Sequence, residues 1–68
     1  MSVYKVIELV GTSETSWEDA AKQAVERAGR SLADLRVGEI TSQDVKIEGG
    51  KVVGYRSRVK VSFKFRDE

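Results

Sequence analysis

The pair Gly49–Gly50, flanked on both sides by long stretches rich in β-branched residues, constrains the fold more than any other feature. Two successive glycines readily adopt the positive φ angles that a two-residue hairpin turn requires. We therefore predict antiparallel strands over residues 36–48 and 51–66, both long against a usual length of about 5–6 residues. In the second strand, apolar and basic residues alternate, which predicts one covered face and one basic face. The apolar set is Val53, Tyr55, Val59, Val61, Phe63 and Phe65, and the basic set is Arg56, Arg58, Lys60 and Lys64.

A strand and a helix precede this hairpin. Residues 3–10 are rich in β-branched side chains and predict a strand that ends at Gly11. From Trp17 to Leu32, apolar residues recur at helical spacing, and most of them are alanine. The order predicts a single α+β domain over residues 1–68, a β-α-β-β protomer whose three-stranded antiparallel sheet wraps around one helix.

The polar segment before the helix permits two interpretations. Free backbone N–H groups at a helix start attract phosphate, but the second glycine and the lysine of a nucleotide-binding loop are missing. We instead interpret Ser16 as the helix N-cap, with Asp19 three residues later in a capping-box arrangement. Trp17 either stacks on a ligand or packs within the protein, and its place at the start of an apolar stripe favours packing.

The short chain needs support beyond its own core. A domain of 68 residues buries only about 60% of the surface that its unfolded chain exposes. Cysteine and histidine are both absent, which excludes disulfides and the usual zinc ligands. Self-association is the remaining common source of stability. The long strands also exceed what one helix can cover, so we predict a protomer that associates with copies of itself.

Charge and hydropathy limit the classes of binding partner that we expect. A net charge of +1 argues against a strong non-specific nucleic-acid binder. The basic face of the last strand is an alternative nucleic-acid surface, although no aromatic residue is interleaved on it. No apolar run suits a membrane span or a signal peptide, so we expect a cytoplasmic protein without a membrane partner. No nucleophile–base pair is evident, and we expect no enzymatic activity.

Three stretches resemble the dodecin family: VYKVIELVGTS at 3–13, DAAKQAVERA at 19–28 and VKVSFKF at 59–65. The resemblance implies a β-α-β-β protomer assembled as a hollow homododecamer, with a role in storage or sequestration. In flavin-binding dodecins, riboflavin or FMN pairs lie at subunit interfaces. Each ring stacks on a tryptophan near the start of the second strand, and a glutamine on the third strand binds the ring edge.

The stretch LRVGEI at 35–40 departs from that flavin-binding pattern. By resemblance, Val37 stands at the position of the stacking tryptophan, Gly38 at that of the next aromatic residue, and Arg56 at that of the glutamine. Losing an aromatic stacking partner costs roughly 1–3 kcal/mol per ring. The chain therefore looks like the tryptophan-lacking, calcium-dodecin-like branch, and flavin binding in a degenerate pocket is the alternative function.

Asp44 suggests a cation instead of flavin. It stands where flavin-binding relatives tend to carry arginine, and symmetry would bring several copies of its carboxylate together. Ca²⁺ accepts about 6–8 oxygen ligands and would relieve their repulsion. The candidate ligands are Asp44, Ser42, Gln43, Glu8 and Glu39. The competing interpretation is an ion pair between Asp44 and Arg56 or Arg58. We predict calcium binding and buffering, and flavin is disfavoured as a cofactor.

Overall fold

The computed structural model describes residues 2–64. Along the chain lie β1 (Tyr4–Ser13), α1 (Trp17–Gly29), β2 (Leu35–Glu48) and β3 (Lys51–Lys64). The sheet has the order β1-β3-β2, and both pairings are antiparallel. Gly49 and Gly50 have φ angles of 58° and 75° at the β2–β3 turn. The predicted β-α-β-β architecture and its glycine hairpin are confirmed.

Two predicted boundaries are wrong. β1 does not end at Gly11 but runs to Ser13, because Gly11 pairs with Ser57 and its missing side chain leaves room for the helix. α1 ends at Gly29, short of Leu32, and the amides of residues 31 and 32 both donate to the carbonyl of Ala28. The prediction that the last strand reaches residue 66 falls partly outside the described residues, as does the predicted inward-facing Phe65.

The core between helix and sheet is small. Its buried apolar residues are Ala20, Ala21, Ala24, Ala28, Val59 and Val61. Ile7 and Leu9 of β1, Val25 of α1 and Leu35 of β2 pack against it and remain partly exposed. Along β2, only Leu35 and Val45 are even partly buried. The helix therefore covers β1 and β3, whereas most of β2 pairs with β3 but is not covered by the helix.

The chain is elongated, and its sheet exposes much apolar surface. Its extents are 53 × 20 × 13 Å and its radius of gyration is 14.1 Å, whereas a compact domain of this length has about 11 Å. The large exposed apolar residues are Val3, Tyr4, Val6, Val10, Val37, Ile40, Ile47, Val52 and Val53. Such surfaces mark interaction sites. Within residues 2–64, no helix has the length and apolar character needed to cross a membrane.

Candidate functional site

The sheet separates the candidate residues onto two faces. One face of the sheet, here called the helix face, packs against α1 and includes Ser57, Val59 and Val61 of β3. The residues of β1 and β2 that pair directly with these three lie on the same face. The other face, here called the outer face, carries the basic residues of β3. Its polar members include Glu8 and Thr12 of β1, Arg56, Arg58 and Lys60 of β3, and Glu39, Ser42 and Asp44 of β2.

Asp44 forms a bidentate ion pair with Arg56, which lies directly opposite it on β3. Arg56 Nε donates to Oδ1 and Nη2 donates to Oδ2, both at 2.7 Å. Paired parallel hydrogen bonds of this kind are the strongest arginine–carboxylate geometry. These bonds lower the pKa of the Asp44 carboxyl and raise the pKa of the Arg56 guanidinium. The predicted Asp44–Arg56 ion pair is confirmed.

The backbone of Asp44 is held from the helix side. Trp17 Nε1 donates to the Asp44 carbonyl oxygen at 3.0 Å. The indole ring meets the ring of Tyr55 edge-on, with centroids 5.2 Å apart. The carbonyl of Trp17 accepts a hydrogen bond of 2.8 Å from the hydroxyl of Ser57. The prediction that Trp17 packs within the protein is confirmed. These contacts also join the start of α1 to the β2–β3 hairpin.

Ser16 caps the start of the helix as predicted, and Ser13 also takes part in the hydrogen bonds there. The hydroxyl of Ser16 accepts a 3.0 Å hydrogen bond from the Asp19 amide. The Asp19 carboxylate does not return to Ser16; it accepts hydrogen bonds from Ser13 Oγ at 2.6 Å and from Gln23 Nε2 at 2.7 Å. Ser13 Oγ also accepts from the Thr15 amide at 2.9 Å. Sequence reasoning missed Ser13, because only the extended β1 brings it beside Asp19.

We expect the protein to lose stability in acid as Asp19 and Asp44 become protonated. Hydrogen bonds from Ser13 and Gln23 lower the pKa of Asp19, and those from Arg56 lower the pKa of Asp44, from an ordinary 3.8. A lowered folded-state pKa adds stability that is present above the unfolded pKa and is lost as pH falls through the folded one. The urea concentration at the midpoint of unfolding should therefore decrease as the pH is lowered from about 6 to about 2. The decrease should be smaller in Asp19→Asn and in Asp44→Asn than in the unmodified protein. A midpoint with the same acid dependence in all three proteins would contradict this.

Glu8 and Glu39 border the basic residues of β3 from opposite sides. Each pairs in register with Lys60, Glu8 from β1 and Glu39 from β2. An oxygen of Glu8 also lies 3.6 Å from Nη1 of Arg58. With Arg56 engaged by Asp44, the basic face predicted for β3 is flanked by carboxylates along most of its length. This arrangement offsets the positive charge that binding a nucleic-acid backbone would need.

Within one chain, the predicted calcium ligands do not converge on one point. Glu8 and Glu39 pair with Lys60, whereas Asp44 pairs with Arg56, four residues away along β3. Four residues of a strand correspond to about 13 Å at the usual rise per residue. Calcium–oxygen contacts are only about 2.3–2.6 Å long. Within the part of the chain from 2 to 64, no three acidic side chains form a cluster that could hold a metal ion.

The segment that contains Asp44 is itself divided between the two faces. Ser42 pairs with Arg58 and lies on the outer face with Asp44, whereas Gln43 pairs with Ser57 and lies on the helix face. The structure therefore places Ser42 and Asp44 on one face and the side chain of Gln43 on the opposite side of the sheet.

The positions that correspond to the flavin site are also far apart in one chain. Val37 pairs with Ser62, six residues along β3 from Arg56, which corresponds to about 20 Å. Val37 is 62% exposed on the outer face, whereas Gly38 lies on the helix face near Val25. A pocket that uses both Val37 and Arg56 would need two copies of the chain.

Comparisons with known proteins agree on one family. The Dodecin family model matches residues 3–66. The chain is 50% identical over 66 residues to calcium dodecin of Mycobacterium tuberculosis (strain ATCC 25618 / H37Rv), covering 97% of this chain and 93% of that protein. A crystal structure of the M. tuberculosis calcium dodecin, described as a calcium chelating antigen with a novel calcium-binding site, is 52% identical, with a TM-score of 0.84 and coverage of 96% and 93%.

A second solved structure extends the likeness. Dodecin from Streptomyces coelicolor has a TM-score of 0.92 at 33% identity, with 98% of this chain and 96% of that chain covered. The match in fold thus holds across relatives of quite different sequence. The chain belongs to the dodecin family.

Proposed function

We propose that this protein is a non-enzymatic dodecin that assembles with copies of itself and stores or buffers Ca²⁺. One observation carries the proposal: the half-exposed Asp44 carboxylate lies on the outer face of a chain 50% identical to a calcium dodecin. The segment around it supplies oxygen ligands only, which Ca²⁺ prefers. The proposed role asks for binding and release and needs no nucleophile or general base.

The shape of the protomer supports the self-association part of the proposal. A three-stranded sheet leaves one edge of β1 and one edge of β2 without a partner, and exposed apolar residues follow both strands. Closed symmetric assembly removes such edges and surfaces from water. We propose the homododecamer of the family as the assembled form.

The donor set fits calcium in kind but is incomplete in number. Asp44 and Ser42 supply a carboxylate and a hydroxyl on the same face, against the about 6–8 oxygens that Ca²⁺ accepts. The remaining ligands would come from water or from a neighbouring copy of the chain. Glu8 and Glu39 form a second, separate candidate location around Lys60. The side chain of Gln43 lies on the helix face and remains apart from both sets.

Features of the sheet weigh against the two alternatives. Val37 supplies no ring for flavin to stack on, and Arg56 is held by Asp44. The basic residues of β3 are bordered by Glu8 and Glu39, which weakens the case for nucleic acid. The cytoplasmic location stays a prediction.

Native mass spectrometry tests the proposal most directly. The protein would be measured as purified, after treatment with a chelator, and after Ca²⁺ is returned. We expect a twelve-subunit mass that loses metal to the chelator and regains it. A monomer that takes up no Ca²⁺ would contradict both parts of the proposal, and an assembly that carries flavin would favour the alternative.

Substitution of Asp44 would then locate the ion. We expect Asp44→Asn to weaken Ca²⁺ binding by at least about tenfold in calorimetry, because the ligand loses its charge. Glu18→Gln, an equal change of charge on the exposed surface of α1, is the matched control. If Glu8→Gln and Glu39→Gln weaken Ca²⁺ binding while Asp44→Asn does not, the ion lies near Glu8 and Glu39 instead.

A further inference from the structure

Both carboxylate oxygens of Asp44 are already occupied by one side chain. Arg56 donates one hydrogen bond to each oxygen, both at 2.7 Å. A calcium ion that chelates both oxygens, at about 2.3–2.6 Å from each, would occupy the space in front of the carboxylate that the guanidinium fills. Bidentate binding of an ion at Asp44 therefore requires these hydrogen bonds to break.

Charge adds to this competition. A guanidinium remains protonated at any ordinary pH and repels a divalent cation that shares its carboxylate. Arg58 has the same charge and lies on the same face, but its guanidinium is directed to Glu8, at 3.6 Å. Arg56 therefore opposes an ion at Asp44 through both hydrogen bonds and charge, whereas the nearby Arg58 acts on Asp44 through its charge alone.

The ion pair can open while the backbone of Asp44 stays in place. The side chains of Arg56 and Asp44 are 48% and 53% exposed, so the released guanidinium would enter water and not a dry interior. The backbone of Asp44 is held independently by the hydrogen bond from Trp17. The arrangement combines a fixed backbone at Asp44 with a guanidinium that can be displaced into water.

We propose that Arg56 is an affinity-determining residue, which competes with Ca²⁺ for Asp44 and swings away when the ion binds. The inference rests on the proposed calcium-binding function. Its consequence is a weakened affinity, so the protein would take up the ion only at higher calcium concentrations than a free carboxylate site would. Arg56 acts through Asp44 and is not itself a ligand.

Calorimetric Ca²⁺ titration of the assembled protein, after chelator treatment, tests the competition. We expect Arg56→Met to bind Ca²⁺ about tenfold more tightly than the unmodified protein, because the hydrogen bonds and the repulsion are both lost. Arg58→Met, which removes the same charge from the same face, should change the affinity less than about twofold. Arg56→Gln provides a second variant if the methionine variant fails to assemble, as judged by native mass spectrometry.

The emission of Trp17 gives an independent readout. It is the single tryptophan of the chain and donates to the Asp44 carbonyl, so Ca²⁺ binding at Asp44 should change its fluorescence. The midpoint of that change should shift to lower Ca²⁺ in Arg56→Met by the same factor as the calorimetric affinity, and it should not shift in Arg58→Met.

The outcomes separate this inference from the proposed function. If the unmodified protein binds Ca²⁺ and Arg56→Met binds it no more tightly, the inference is overturned and the proposed function stands. If only the Arg56 variants bind Ca²⁺, the competition is supported and the proposed function fails. Equal tightening in Arg58→Met would reveal a general charge effect and overturn the inference, and no binding by any of the proteins would overturn both.

Discussion

Replacing Gly11 with alanine should lower the free energy of unfolding by about 3 kcal/mol, the upper end of the usual cost of overpacking. A Cβ at this position would collide with the carbonyl oxygen of Ala20 and lie 2.9 Å from the Cβ of Ala24. The oxygen belongs to the helix backbone and cannot rotate away, so α1 would have to move off the sheet. In a core built largely of alanine and two valines, that shift removes much of the buried apolar contact.

The matched control for this prediction is Gly38→Ala. Its Cβ would meet Val25 Cγ2 at 3.4 Å and Val59 Cγ1 at 3.6 Å, which are ordinary contacts with side chains. We expect a change within about 0.5 kcal/mol, as for most tolerated substitutions. Urea unfolding followed by circular dichroism compares the two variants, at equal protein concentrations because any self-association would add to the measured stability. Equal midpoints for the two variants would contradict the close approach of β1 to α1.

Charges placed on the apolar part of the outer face should dissociate the assembly. Val6 and Val37 lie in one row across the sheet, on either side of Ser62, and are 55% and 62% exposed in the single chain. If association covers this row, a Val6→Asp, Val37→Asp double variant would bury two unpaired carboxylates, each costing several kcal/mol. We expect the mass to fall to that of a monomer or small oligomer, and the urea midpoint to fall with it.

Threonine at the same two positions is the control for this second prediction. It keeps the branched shape of valine without adding charge, so Val6→Thr with Val37→Thr should retain the assembled mass. Native mass spectrometry of both double variants gives the comparison. A double aspartate variant that keeps the full mass would mean that the row faces water in the assembly, and that association uses other exposed residues such as Ile47 and Val52.

Local features of the chain were predictable from sequence because each depends on neighbouring residues. The turn at Gly49–Gly50 follows from glycine's tolerance of positive φ, and the cap at Ser16 from a hydroxyl placed three residues before Asp19. The alternation along β3 placed Val59 and Val61 on the buried side, since side chains alternate between the faces of a strand. Long strands beside one short helix predicted more strand surface than the helix can cover, and the exposed residues of the sheet confirm this.

The composition of the candidate site depended on register, which only the tertiary structure decided. β2 has a bulge between Ile40 and Ser42, and one inserted residue exchanges the faces of everything beyond it. Glu39 and Asp44 therefore share the outer face although their sequence spacing places them on opposite sides of a regular strand. The same register sets Asp44 opposite Arg56, and Arg58 opposite Ser42. Sequence by itself determined the elements and the types of ligand available; the strand register decided which of them meet, because it is set by pairing between residues distant along the chain.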